Sequence, residues 1–191
     1  MDDPAFPLWS GGIGIRPFRE DDAAEFVEAV RESIPDLAPF MPWAHPDYSL
    51  DEAQSWIEDT RGSFDACTKH EFAIVDTDDH LLGGVGLNMR NDLHRTANLG
   101  YWVRSSASDR GVATTAARSA AIFGFKSLRL QRLEILVVPS NSASLRVADK
   151  LGALREGVLR NRLRIYDEPL DAVMHSLVPE DMGMITARLR E

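Results

Sequence analysis

Apolar positions along the chain change period several times, and each change predicts an element. Ala23, Phe26, Val27 and Val30 recur at helical spacing behind Glu20, Asp21 and Asp22, acids suited to the positive end of a helix. They predict a first amphipathic helix. Pro35, Pro39, Pro42 and Pro46 break the next stretch and leave Leu37, Phe40, Met41 and Trp43 in a bulky loop. Ser49-Leu50-Asp51-Glu52 has capping-box spacing, and Ala53, Trp56, Ile57 and Phe64 supply the stripe of a second helix.

Extended segments surround these helices. Pro4, Pro7, Gly11, Gly12 and Gly14 punctuate a loosely ordered lead, after which Ile13 to Phe18 reads as the first strand. Phe72 to Val75 and Leu81 to Leu87 read as strands around the polar turn Asp76 to His80, with Gly83, Gly84 and Gly86 allowing close packing or a bulge. Ala97 to Val103 is the fourth strand. A small-residue loop, Ser105 to Gly111, leads into a helix from Ala113 to Phe125 whose Ala116, Ala117, Ala120 and Ala121 permit close approach to a sheet. Leu133 to Val138 is the most sheet-like run and ends at Pro139. Asn141 or Ser142 caps a helix that stops at Gly152, and late strands fall at Leu154 to Leu159 and Ala172 to Val178. This order predicts a mixed α/β (α+β) fold: a lead over residues 1–12, one domain over 13–179 and a tail over 180–191.

Length and composition agree with one domain. The 191 residues are little more than one ~150-residue unit, and 44% apolar with 27% charged residues is ordinary for a globular chain. A formal net charge of −9 argues against non-specific nucleic-acid binding. The single Cys67 cannot close an intrachain disulfide, and five scattered histidines give no zinc signature, so no metal is expected. The opening ten residues are too short and too broken for an export signal, and no long apolar span occurs, which makes a cytoplasmic protein without membrane contact the expectation. Arg155, Arg160, Arg162 and Arg164 form one basic cluster, read as a solvated hairpin or an anion contact.

The segment from Leu99 to Thr114 carries the most chemical information. A strand, a tight loop and a helix start present backbone amides that can hold phosphate without net positive charge. Gly111 allows close backbone approach, and Arg110 offers a charge-assisted contact. An ordinary strand-to-helix connection would look similar. Neither a GxxxxGK[ST] nor a GxGxxG motif is present at this loop.

The order of elements and four short motifs identify a resemblance. Leu99-Gly100-Tyr101-Trp102-Val103, Arg110-Gly111-Val112-Ala113-Thr114, Asn141-Ser142-Ala143-Ser144, and Lys150-Leu151-Gly152-Ala153 followed by Glu156-Gly157 resemble the GCN5-related N-acetyltransferase (GNAT) superfamily, especially ribosomal-protein N-terminal acetyltransferases of the Rim type. The likeness spans roughly Ile13 to Val178. It implies a central mixed, mostly antiparallel sheet flanked by helices, opening between the strands Ala97 to Val103 and Leu133 to Val138 to admit acetyl-coenzyme A as cosubstrate. It also implies pyrophosphate contacts from Ser108, Asp109, Arg110, Gly111, Val112, Ala113 and Thr114. The thioester region would lie near Trp102 and Val103, and Asn141 near the pantetheine arm, although Asn141 is equally suited to capping its helix.

One departure stands out. The resembled loop carries a glycine where this chain has Asp109, an unfavourable neighbour for a diphosphate unless it turns away or Arg110 compensates. Direct transfer needs a base for the ammonium, a donor for the carbonyl and a proton for the departing thiolate. A free N–H near Val103 suits the second need, and Ser144 resembles the serine that serves the third. A glutamate common on the fourth strand is replaced by Asn98, which cannot take a proton at neutral pH. Glu71, acting through water, becomes the candidate base, against the plainer reading of a strand-end carboxylate. Tyr166 and His175 are further candidates, with His175 placed on a solvent face, whereas Tyr101 reads as packing or hydrogen-bonding within the sheet.

The acceptor expected from the resemblance is the α-amino group of a protein or peptide. Phe40, Met41, Trp43 and Tyr48 would wall its site or else simply bury the loop. A small amine acceptor, or a non-catalytic acetyl-coenzyme A-binding regulatory domain, remains the alternative, and a homodimer is allowed.

Overall fold

The computed structural model describes residues 5–184. Eight strands form one sheet in the order β1-β2-β3-β4-β5-β6-β8-β7. They are β1 (Leu8–Ser10), β2 (Ile13–Pro17), β3 (His70–Val75), β4 (Leu81–Asn91), β5 (Thr96–Val103), β6 (Arg132–Val137), β7 (Leu154–Ile165) and β8 (Glu168–Leu177). Every adjacent pair is antiparallel except β5 and β6. The helices are α1 (Ala23–Leu37), α2 (Leu50–Asp65), α3 (Val112–Lys126) and α4 (Ser142–Leu151).

Side-chain alternation divides the core between the two sheet faces. Phe72, Ile74, Val85, Leu87, Ala97 and Leu99 pack with the alanine stripe of α3, where Ala116, Ala117, Ala120 and Ala121 are wholly buried. On the other face Ala73, Val75 and Trp102 pack with Phe26, Val27 and Val30 of α1 and Ile57 of α2. Ser49 accepts from the Glu52 N–H while the Glu52 carboxylate accepts from the Ser49 N–H, so the capping box forms as its spacing predicts. Gly152 closes α4 in the left-handed conformation, as expected of a glycine stop.

Four boundaries differ from the sequence pattern. The lead is not loose throughout: Leu8–Ser10 pairs with Ile13–Ile15 through a turn at Gly11 and Gly12, which adds an edge strand. Helix α1 runs through Pro35 to Leu37, because a proline in the last turn removes only one bond while the Ala38 N–H still reaches the Ile34 carbonyl at 2.9 Å. Strands β7 and β8 extend well past their apolar cores as a hairpin whose β7 side chains are mostly exposed; backbone pairing, which leaves no hydrophobic period, holds it. The short turn Pro179–Met182 packs beside α3, where Arg118 approaches the Met182 sulfur at 3.7 Å. The last seven residues of the expected tail and the first four of the lead lie outside the described residues.

A buried ion pair braces the start of the domain. Arg16 on β2 donates from both terminal nitrogens to the two Asp22 oxygens at 2.7 Å, and from Nε to Asp79 at 2.8 Å. Arg16 and Asp22 are almost fully buried.

Candidate active site

The site begins where two strands part. Strands β5 and β6 pair only over Thr96–Asn98 with Arg132–Glu134; beyond that β6 follows β8 while β5 follows β4. Arg104 donates its N–H to Leu82 O at 2.8 Å. Successive N–H groups on a strand point to opposite edges, so the Val103 N–H faces the edge that β6 has left.

A cleft of about 470 Å³ occupies this opening. Trp102, Val103, Ser108, Asp109, Gly111, Val112, Ala113, Thr114, Asn141 and Ser144 line it, which brings together nearly all the residues expected to hold the cofactor. Arg110 is exposed and lies outside that lining. The loop amides converge on the start of α3, where Gly111 precedes the first turn at φ 79°. Asp109 also adopts a left-handed backbone, φ 57°, in keeping with a position where the resembled loop uses glycine. Two cations to which the motifs gave no binding role, Arg146 and Lys150, stand four residues apart on α4 and line the same cleft. Their i, i+4 spacing was the available signal. They offset the acids Asp36 and Asp109 that line the same cleft.

Asn141 caps α4: its side-chain oxygen accepts from the Ser144 N–H at 3.0 Å. The cap holds Ser144 at the first turn, with its Oγ 3.1 Å from the Tyr101 hydroxyl, which also reaches the Ser144 carbonyl at 3.2 Å. Burial pushes the Tyr101 phenol up to about 12, offset in part by the Ser144 bond, so it stays protonated. Tyr101 therefore hydrogen-bonds outside the sheet, to the first turn of α4. Its strand position alone gave no sign of a partner 43 residues away.

On the opposite sheet face lies a second pocket of about 670 Å³, which meets the cleft at Met41, Tyr101 and Trp102. Its floor is paved by Gly84, Gly86 and Gly100. A Cβ at Gly86 would fall 1.7 Å from the Glu71 carboxylate, and one at Gly84 would fall 2.7 Å from the Trp102 indole nitrogen. The missing side chains thus let Glu71 and Trp102 lie across the floor. Glu71 is half-buried in this pocket, which corrects the plainer reading of a strand-end surface carboxylate. Its Oε1 accepts from Asn88 Nδ2 at 3.0 Å, and the Asn88 oxygen accepts from Asn98 Nδ2 at 3.0 Å. Burial raises the Glu71 pKa, against the weaker pull of the Asn88 bond and Lys69. Asn98 thus belongs to the network around Glu71. Asn88, two positions beyond Gly86 on the same face, escaped sequence reasoning because the cross-strand register that places it there is tertiary.

The pocket walls are aromatic. Phe26 stacks on Trp56 at 5.0 Å and meets Trp102 edge-on at 5.4 Å, while Trp43 meets Trp102 at 5.7 Å and Tyr48 at 6.1 Å. Trp43 and Tyr48 thus face this pocket, and Met41 is shared with the cleft; Phe40 lines the cleft instead. His175 is 1% exposed within β8, not on a solvent face, because its position opposite Ile135 turns it into the interior; burial lowers its pKa. Tyr166 is also apart from the site, donating to the Ala38 carbonyl at 2.8 Å. Among the described residues no cluster of His, Cys, Asp and Glu could hold a metal ion. No helix among the described residues is long and apolar enough to cross a membrane.

Comparison with known proteins agrees with this geometry. Residues 13–154 match the acetyltransferase (GNAT) domain family, and the chain belongs to it. "Probable N-acetyltransferase YjcK" of Bacillus subtilis (strain 168) is 30% identical over 156 residues, 80% of this chain and 86% of that protein. A Vibrio cholerae structure described as a "putative ribosomal-protein-serine acetyltransferase" superposes with a TM-score of 0.81 at 29% identity, covering 92% of this chain and 99% of its own. Mycobacterium smegmatis RimJ, solved in complex with CoA-disulfide, superposes with a TM-score of 0.77 at 25% identity, covering 88% and 83%. The protein is an acetyl-coenzyme A-dependent acetyltransferase closely related to the Rim-type enzymes.

Proposed function

We propose that the protein acetylates the N-terminal α-amino group of a protein or peptide, with acetyl-coenzyme A in the β5–β6 cleft and the acceptor in the aromatic pocket. The observation that carries this reading is the meeting of the two cavities at Tyr101 and Trp102. The sequence likeness to Rim-type enzymes supports a protein N-terminus over other amines.

The groups divide by position. Glu71, its carboxylate over Gly86 and roughly one strand spacing (~4.8 Å) from Gly100, takes a proton from the acceptor ammonium, directly or through water. The neutral amine attacks the thioester carbonyl. The Val103 N–H donates to the oxygen as it gains charge. When the carbon–sulfur bond breaks, the Ser144 hydroxyl donates its proton to the thiolate, with Tyr101 bonded behind it; the proton lost from the acetylated nitrogen returns to that pair through water. No covalent enzyme intermediate is required.

Incubation with acetyl-coenzyme A and peptides bearing a free α-amine, read by thiol release and mass, tests the proposal. One acetyl group on the α-nitrogen is expected. Turnover with small amines or lysine side chains but not with α-amines overturns it.

A further inference from the structure

We infer that the aromatic pocket selects acceptors by a bulky apolar group next to the reacting amine, so that an N-terminal Phe, Leu or Met is preferred over Gly, Ala or Ser. This rests on assigning that pocket to the acceptor.

The inference follows from the size and chemistry of the walls. Glu71 can pair with the ammonium at the floor. Above that floor stand Phe26, Trp43, Trp56 and Trp102, in mutual contact at 5.0 to 6.4 Å between ring centroids. Phe26 and Trp102 are buried, and Trp43 remains 39% exposed, its ring forming one open side of the pocket. A pocket of about 670 Å³ exceeds what an alanine or serine N-terminus occupies, and such an acceptor would leave the exposed faces of Trp43 and Trp56 against water. A bulky apolar side chain covers them. Fully burying a large apolar side chain is worth on the order of 10- to 100-fold in selectivity, and a phenylalanine should exceed alanine by about that factor. Of the acids Asp51 and Glu52 that also line the pocket, Glu52 is already engaged by His45 and Ser49.

The test is a peptide series that differs only in its first residue, Gly, Ala, Ser, Leu, Met or Phe, run beside ethylamine and 2-phenylethylamine, with kcat/KM from thiol release. The expected result is a rise with apolar size, largely in KM, and a Phe-to-Ala ratio that falls at least 5-fold, roughly half the low end of the expected selectivity, in Trp43→Ala. Trp43 is partly exposed, and the circular dichroism spectrum of the variant verifies its fold. A flat or inverted profile in both series overturns the inference. Preference for 2-phenylethylamine with no peptide acetylated upholds the pocket inference and overturns the α-amine reading. No turnover with either series overturns both.

Discussion

The hydroxyl of Tyr101 stands 3.1 Å from that of Ser144 and ties the splayed end of β5 to the first turn of α4. The two walls of the cofactor cleft are joined by this pair. With the phenol pushed up to about 12, both hydroxyls remain donors throughout the working pH range. Ser144→Ala should lower kcat by about 10- to 100-fold with little change in the KM for acetyl-coenzyme A. Tyr101→Phe should fall in the same range, and the double variant should be no worse than about the poorer single, since groups in contact act as a unit. Saturating steady-state kinetics of thiol release decide this, and additive losses would separate the two roles.

Glu71 should show opposite effects on activity and stability. Burial raises its pKa, so as base it ionises later than an ordinary glutamate, and kcat/KM should climb with pH through that raised value. Glu71→Gln should remove this limb and most of the turnover. The folded protein holds the proton more tightly than the unfolded chain, so stability falls as pH rises from the ordinary glutamate value through the raised one. Glu71→Gln should therefore melt higher than the parent at neutral pH, with the difference vanishing at acid pH. Parallel thermal melts and pH–rate profiles check both halves.

Asp109 places an acid in the cofactor cleft at a left-handed backbone position. Asp109→Gly removes the charge and suits φ 57°. The KM for acetyl-coenzyme A should drop several-fold at low salt, and the gain should shrink as salt screens the phosphates. Stability should change by less than about 1 kcal/mol, because relief of strain offsets the added freedom of the unfolded glycine. Calorimetric titration with coenzyme A at two ionic strengths is the measurement.

Arg16 and Asp22 form the buried pair of the fold. Arg16→Met leaves the Asp22 carboxylate buried without its partner and should cost about 3–5 kcal/mol in denaturant unfolding. Asp79→Asn, which alters the half-exposed arm of the same arginine, should cost less than about 1 kcal/mol. Equal losses would place the stabilisation in the exposed arm.

The helices and most strands were legible because their signals are local. Ser49 and Glu52 announce a cap, Gly152 a stop and the α3 alanines a sheet-facing stripe, each through contacts within a few residues. The loop and helix start over residues 108–114, expected to hold the pyrophosphate, were legible as local structure for the same reason, belonging to one continuous segment. The β7–β8 hairpin was legible in its strand cores and in its exposed arginine cluster, but not in its full length, since pairing of exposed backbone leaves no hydrophobic period to read.

By itself the sequence determined the order of the four helices and of seven of the eight strands, the acetyltransferase family and most of the residues that line the β5–β6 cleft, because these rest on short-range spacing and contiguous motifs. Only the tertiary structure decided what surrounds the reacting atoms. Strand register carries Glu71 across Gly86 to Asn88, and the parting of β5 from β6 sets Tyr101 against Ser144. Residues distant along the chain meet there because sheet pairing and helix packing bring them together, and no local pattern encodes such a meeting.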